Sequence, residues 1–166
     1  MSKQIIAELY DNFDKVKLIV DAVKNDKQQI EITNLNGSAL SMVISSVFRA
    51  AEKPLLLICN EKEEAAYYLN DLEQLLDRNN NSSREDVLFY PGSYRRPYQI
   101  EDTDNANILL RAEVLNRINS QKKPALIVTY ADALFEQVIT KSELKRNTLK
   151  LAVADTLSLD FVHDLL

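Results

Sequence analysis

The sequence predicts an α/β fold: a parallel, doubly wound sheet flanked by helices, followed by the start of a second, small subdomain. Three observations carry that expectation. Continuous apolar runs of strand length occur at 54–59, 87–90 and 124–129, the pattern of strands covered on both faces rather than on one. Helical segments with an apolar stripe separate them, at the spacing of βαβ units. After Thr129 that rhythm stops, and 148–153 and 158–166 read as a strand and a helix of something new. We therefore divide the chain into an α/β domain at 1–140 and the beginning of a second subdomain at 141–166, with an apolar helix face left unfinished at Leu165 and Leu166.

The elements follow in order. A short helical turn at 3–10 precedes a helix at 12–24, where Phe13, Val16, Ile19, Val20 and Val23 share one side. Residues 29–33 alternate and are rich in β-branched side chains, the local signature of a strand. A helix at 38–52 carries Leu40, Val43, Ile44, Val47, Phe48 and Ala51 on its stripe. The apolar run ending at Cys59 is then followed by a helix that Asn60 and Glu63 begin as a capping box, with Ala65, Leu69, Leu72 and Leu76 facing inward. Residues 78–86, with three consecutive asparagines and two serines, form a polar loop. After the next strand and a loop at 91–104, a helix at 105–118 turns Ala106, Leu109, Leu110, Ala112, Leu115 and Ile118 partly inward. A short helix at 131–138 follows the last strand of the sheet.

Composition narrows the function. No apolar stretch reaches the eighteen or so residues that span a bilayer, and the N-terminus lacks the layout of a secretory signal, so the chain reads as cytoplasmic, without a membrane partner. The net charge of −5 argues against strong sequence-independent DNA binding, which draws its affinity from many Lys and Arg contacts to phosphate. A single cysteine, Cys59, and a single histidine, His163, cannot build a Cys/His metal cluster or a recognisable Cys–His nucleophile. No metal ligand and no catalytic residue is expected, and Cys59 reads as a small buried hydrophobe. The acidic groups Glu61, Glu63 and Glu64, and Glu101, Asp102 and Asp104, sit at predicted helix starts, where capping and the helix dipole account for them. Gly37 and Gly92 are the only glycines, and each is expected to mark an unusual φ/ψ.

Two segments resemble binding sites. The run 34–41 occupies the place of a phosphate-binding loop, which reads G-x-x-x-x-G-K-[ST]. In that register the pattern positions are held by Asn34, Ala39, Leu40 and Ser41; of the loop, with Asn36 inside it, only the Gly37-Ser38 pair and the final hydroxyl are in keeping with phosphate binding. Leucine cannot replace the ammonium that offsets phosphate charge, and Leu40 heads an apolar stripe, so we expect no nucleotide cofactor here. The second segment interleaves Tyr94, Arg95, Arg96 and Tyr98, a composition that stacks on bases and pairs with phosphate or packs against a partner. It follows a strand, where open α/β sheets place their binding crevices.

Five blocks taken together, 30–39, 54–58, 88–98, 126–135 and 149–166, resemble in order and spacing the N-terminal region of the bacterial transcription-repair coupling factors, the Mfd family. The resemblance spans nearly the whole chain. It implies a module similar to the first domain of the repair protein UvrB, a RecA- and helicase-like fold, with a degenerate phosphate-binding loop whose missing Lys corresponds to Leu40. It also implies a non-catalytic role in transcription-coupled nucleotide excision repair: recruiting UvrA through the adjoining subdomain and packing against an ATP-driven DNA translocase of the same polypeptide. ATP, Mg²⁺, DNA and RNA polymerase would be handled by other domains of that parent, a superfamily 2 translocase. The long aromatic hairpin that UvrB uses to probe lesions is replaced here by 91–104 alone, which puts direct lesion reading in doubt. The alternative is a P-loop ATPase or helicase fragment with an unconventional nucleotide site.

Overall fold

A computed structural model describes residues 9–25, 29–76, 86–93, 104–120 and 123–146. Three parallel strands form its sheet: β1 (Leu55–Cys59), β2 (Val87–Tyr90) and β3 (Leu126–Tyr130), in the order β1-β3-β2. Leu55 pairs with Leu126 on one side of the central strand and Val87 with Leu126 on the other. The helices are α1 (Asp14–Lys24), α2 (Ala39–Ala51), α3 (Lys62–Leu76), α4 (Asn105–Ser120), α5 (Ala131–Phe135) and α6 (Lys141–Arg146). The coarse prediction of an α/β chain with a parallel sheet between helices thus stands, and no helix among the described residues is long and apolar enough to cross a membrane.

The order of strands follows from the chain's direction. The connection from β1 through α3 to β2 passes over β3 one way, and the return through α4 to β3 passes back. Because parallel crossovers are right-handed in nearly all proteins, α3 and α4 must lie on opposite faces. The core forms between α3 and the sheet, where Ala65, Leu72 and Leu76 meet Leu126 and Val128, with Ile44 and Phe48 of α2 packed against the same cluster. A second cluster joins α1 to α2 through Val16, Val20, Val43, Val47 and Ala51. The inward stripes predicted for α1, α2 and α3 are therefore largely as expected.

Five expectations change. Residues 29–33 adopt no strand pairing among the described residues, and Ile30 and Ile32 remain 40% and 44% exposed; alternation is a local signal, whereas a ladder needs a partner in register. The strand β1 is not covered on both faces: Leu56 and Ile58 are each 54% exposed, because β1 is an edge strand that the helices cover on one side only. On α4 the buried residues are Arg111 and Val114, while Leu109 is 72% and Ile118 52% exposed. The polar side chains Asn107 and Arg111 turn that helix, because both have partners in the sheet's end loop. The partner that closes the α3 N-terminus is Glu64 rather than Glu63, accepting from the Asn60 amide at 3.0 Å. Finally, only Gly37 of the two glycines has a positive φ, at 55°. Of the helical turn predicted at 3–10 only residues 9 and 10 are described, and they are helical; of the polar loop predicted at 78–86 only Asp86 is described; the second-subdomain elements at 148–166, His163 included, lie outside the described residues.

Candidate functional site

The first candidate is the loop that leads into α2. Asn34 and Gly37 have φ of 62° and 55°, left-handed backbone that Asn and Gly tolerate best. Asn34, Asn36 and Gly37 are exposed, and Ser38 and Ala39 are half-buried as the helix begins. The Ser38 hydroxyl makes no capping bond to the helix; it lies 2.7 Å from the Tyr67 hydroxyl of α3. Leu40 lines an apolar hollow with Val43, Ile44, Leu55 and Leu57. Ser41, whose position in a working loop would hold Mg²⁺, is fully buried and donates to Asp71 Oδ2 of α3 at 3.1 Å. No Lys or Arg occurs between residues 28 and 48. An incoming phosphate would thus meet helix-terminal N–H groups but no ammonium from its own segment, and the hydroxyl for its metal is spent on helix packing.

The second candidate lies at the carboxyl ends of β2 and β3, where open parallel sheets bind ligands. Here Pro91, Gly92 and Ser93 are clamped from three elements. Arg111 of α4 donates from Nη1 to the Pro91 carbonyl at 2.8 Å and to the Ala133 carbonyl at 3.2 Å, and lies 3.4 Å from Glu136 Oε2. Its guanidinium also stacks 4.2 Å over the Tyr90 ring. The Gly92 N–H donates to the Tyr130 hydroxyl at 2.8 Å, and Asn107 Nδ2 donates to the Gly92 carbonyl at 2.9 Å. The Ser93 N–H is shared by both Glu136 oxygens at 2.9 Å, and the Ser93 hydroxyl donates to Oε2 at 2.6 Å. Thr129 Oγ1 completes the clamp by donating to the Tyr90 carbonyl at 2.8 Å.

This geometry explains Gly92. A Cβ there would sit 2.8 Å from Glu136 Oε1 and 3.1 Å from the Tyr130 hydroxyl, so the glycine is needed for space and not for φ. Burial pushes the Tyr90 phenol above its ordinary pKa, with Arg111 pulling the other way, so the ring stays neutral. Arg111 and Glu136 neutralise each other, and each is consumed by loop atoms. The cluster is suited to holding a loop in place.

No family model, curated protein or solved structure matches the chain.

The clamp had no signal in the sequence, since a lone Arg in a helix and a lone Glu after one are ordinary surface residues. Only the tertiary fold brings Arg111, Tyr130 and Glu136 together. Tyr94, Arg95, Arg96 and Tyr98, the aromatic and basic side chains singled out by composition, lie outside the described residues, directly after the clamped Ser93. Among the acidic groups, Asp104 accepts from the Ala106 N–H at 3.0 Å at the start of α4, the capping role expected of it. Glu101 and Asp102 are outside the described residues. Among the described residues no group of three His, Cys, Asp or Glu could hold a metal ion. Cys59 is buried, and burial, with Glu64 adding to it, pushes its thiol to about 11.

Proposed function

We propose that this chain is the UvrB-like N-terminal module of a transcription-repair coupling factor, a cytoplasmic, non-catalytic scaffold that recruits UvrA and packs against the ATP-driven DNA translocase of its parent protein. The observation that supports it best is the state of the loop 34–41. Its backbone keeps two left-handed residues before a helix, while Leu40 serves packing and the Ser41 hydroxyl serves Asp71. A nucleotide site that has become structure is what a UvrB-like domain without its own ATPase would carry, and ATP and Mg²⁺ then belong to the motor elsewhere in the parent. Contacts to RNA polymerase and DNA are assigned to other domains as well. The clamped loop after β2 gives the module a second role: a rigid base from which the Tyr94, Arg95, Arg96 and Tyr98 segment departs.

Two measurements test this reading. Purified UvrA should bind the native gene product and lose that binding when residues 1–166 and the adjoining subdomain are removed; undiminished binding would overturn the scaffold role. Titration of the chain with fluorescent ATP and Mg²⁺ should show no saturation at micromolar concentration. Micromolar binding abolished by Gly37→Asp would instead favour the ATPase alternative.

A further inference from the structure

The outer side of α4 carries a groove that neither candidate site uses. Leu109, Ala112 and Asn116 follow one another along it at helical spacing, and Lys141, Leu144 and Lys145 of α6 form the facing wall, around a space of about 890 Å³. Its floor is apolar: Leu109 is largely exposed, and Leu144 is buried where α6 meets α4. Its rim is basic. Lys141 and Lys145 are exposed, and no ion pair takes either among the described residues. The acid of α6 does not offset them, because Glu143 accepts from the Thr140 hydroxyl at 2.8 Å and from its N–H at 3.1 Å. Glu113 is the one carboxylate in the lining among the described residues. In a chain of net charge −5, this is a local excess of positive charge around apolar side chains.

Two facts identify what covers it. The described residues stop at Arg146, at the end of the α6 wall itself, and residues 147–166 follow directly. From 151 onward these carry Asp155, Asp160 and Asp164 and no Lys or Arg. On the helix that the sequence predicts at 158–166, Phe161, Val162, Leu165 and Leu166 share one side, flanked by Asp160 and Asp164. The sizes agree as well: nine helical residues measure about 13 Å, and the groove from Leu109 to Ser120 about 16 Å. The connection 147–157 can span up to about 35 Å, enough for the chain to turn back onto its own wall.

We propose that residues 158–166 dock in the groove between α4 and α6, with Phe161 and Leu165 on the apolar floor and Asp160 and Asp164 set against Lys141 and Lys145. Docking covers Leu109 and pins the start of the second subdomain to the α/β domain. The proposal is independent of the repair-factor reading, because it rests on the groove and on the charge pattern alone.

The chain has no tryptophan, so Phe161→Trp supplies a single fluorescent reporter. Its emission should be blue-shifted, and its quenching by acrylamide weaker, than for free indole. Leu109→Asp, a change at an exposed position outside the core, should expose it. Lys141→Glu with Lys145→Glu should lower the docked-to-open ratio roughly tenfold, as expected of two exposed ion pairs. Asp160→Lys with Asp164→Lys on that background should restore it. Should the indole itself disturb the seat, a carbodiimide cross-link of Lys141 or Lys145 to Asp160 or Asp164 in the unmodified chain, read by peptide mass, still reports docking. An exposed reporter together with no cross-link overturns the proposal. A shielded reporter indifferent to the Leu109 and lysine changes overturns it too, since 158–166 would then be seated elsewhere. Shielding that rises with protein concentration overturns it in favour of docking on a second copy.

Discussion

Two glycine-bearing loops flank the sheet, and they solve opposite problems. At 91–93 three residues have their backbone groups taken by Arg111, Asn107, Tyr130 and Glu136, and the glycine exists because a Cβ would strike the clamp. At 34–37 the backbone turns left-handed twice, and nothing lies within 4 Å of where a Gly37 Cβ would be. One loop is fixed by side chains that bond its backbone, the other by its own torsions and the packing of Leu35 against the α1–α2 cluster. A ligand-binding loop of the phosphate type needs both, an unusual backbone and groups converging on it, and neither loop has the two together.

The sharpest way to break this comparison is at Arg111. Its side chain is 9% exposed and that of Glu136 17%, so Arg111→Ala leaves a part-buried carboxylate without its cation and two carbonyls without their donor. Removing one partner of a buried pair costs about 3–5 kcal/mol. For a chain of this size that lowers the melting temperature by about 8–15 °C, measurable by thermal denaturation. Arg111→Met should cost less than Arg111→Ala only if packing, and not the bonds to Pro91 and Ala133, carries the effect.

The glycines come next. Gly92→Ala pushes a methyl into Glu136 and Tyr130, and neither can yield without giving up a bond to the loop; overpacking of that kind costs about 1–3 kcal/mol. Gly37→Ala meets open space and pays only the left-handed backbone, about 1 kcal/mol, and Gly37→Asn should recover part of it. Denaturant midpoints of the three variants check the order, and a Gly37→Ala cost equal to that of Gly92→Ala would erase the distinction between the loops.

Cys59 offers a smaller test of the closed side of β1. With its pKa pushed to about 11, roughly a thousandth of the thiol is ionised at pH 8, and burial slows access further. Thiol labelling of the native chain is expected to be slow at pH 8 and to accelerate as pH rises toward 11. Because the folded pKa lies above the ordinary 9.0, the proton is held more tightly in the fold. Whatever stability this adds is present below pH 9 and lost on passing from 9 to about 11.

These residues also show where sequence reading succeeds and where it stops. The apolar runs at 55–59, 87–90 and 126–130 became strands because short continuous hydrophobic runs after helices have few other solutions. The stripes of α2 and α3 were legible for the same reason. A continuous run cannot tell a central strand from an edge strand, so the exposure of Leu56 and Ile58 was hidden. On α4, apolar spacing pointed to Leu109 and Ile118, but the helix is oriented by Asn107 and Arg111, whose acceptors are 15 and 20 residues away in the chain. The clamp is a product of topology, which pattern does not encode.

The smallest expected effect is none at all, and it concerns Leu40. Restoring the consensus cation as Leu40→Lys puts the one missing charge back into the 34–41 loop. If the loop were a nucleotide site lacking only its Lys, fluorescent ATP with Mg²⁺ should then bind. We expect no binding. The side chain at position 40 begins in the hollow lined by Val43, Ile44 and Leu55, so a Lys there must bend out of the packed face toward solvent rather than over the loop. The metal position is still lost, because Ser41 is buried and bonded to Asp71. A second change, Asp71→Ala, would free that hydroxyl. Micromolar binding by Leu40→Lys alone would show that the loop retains its site, and binding only by the double variant would locate the loss in the Ser41–Asp71 bond.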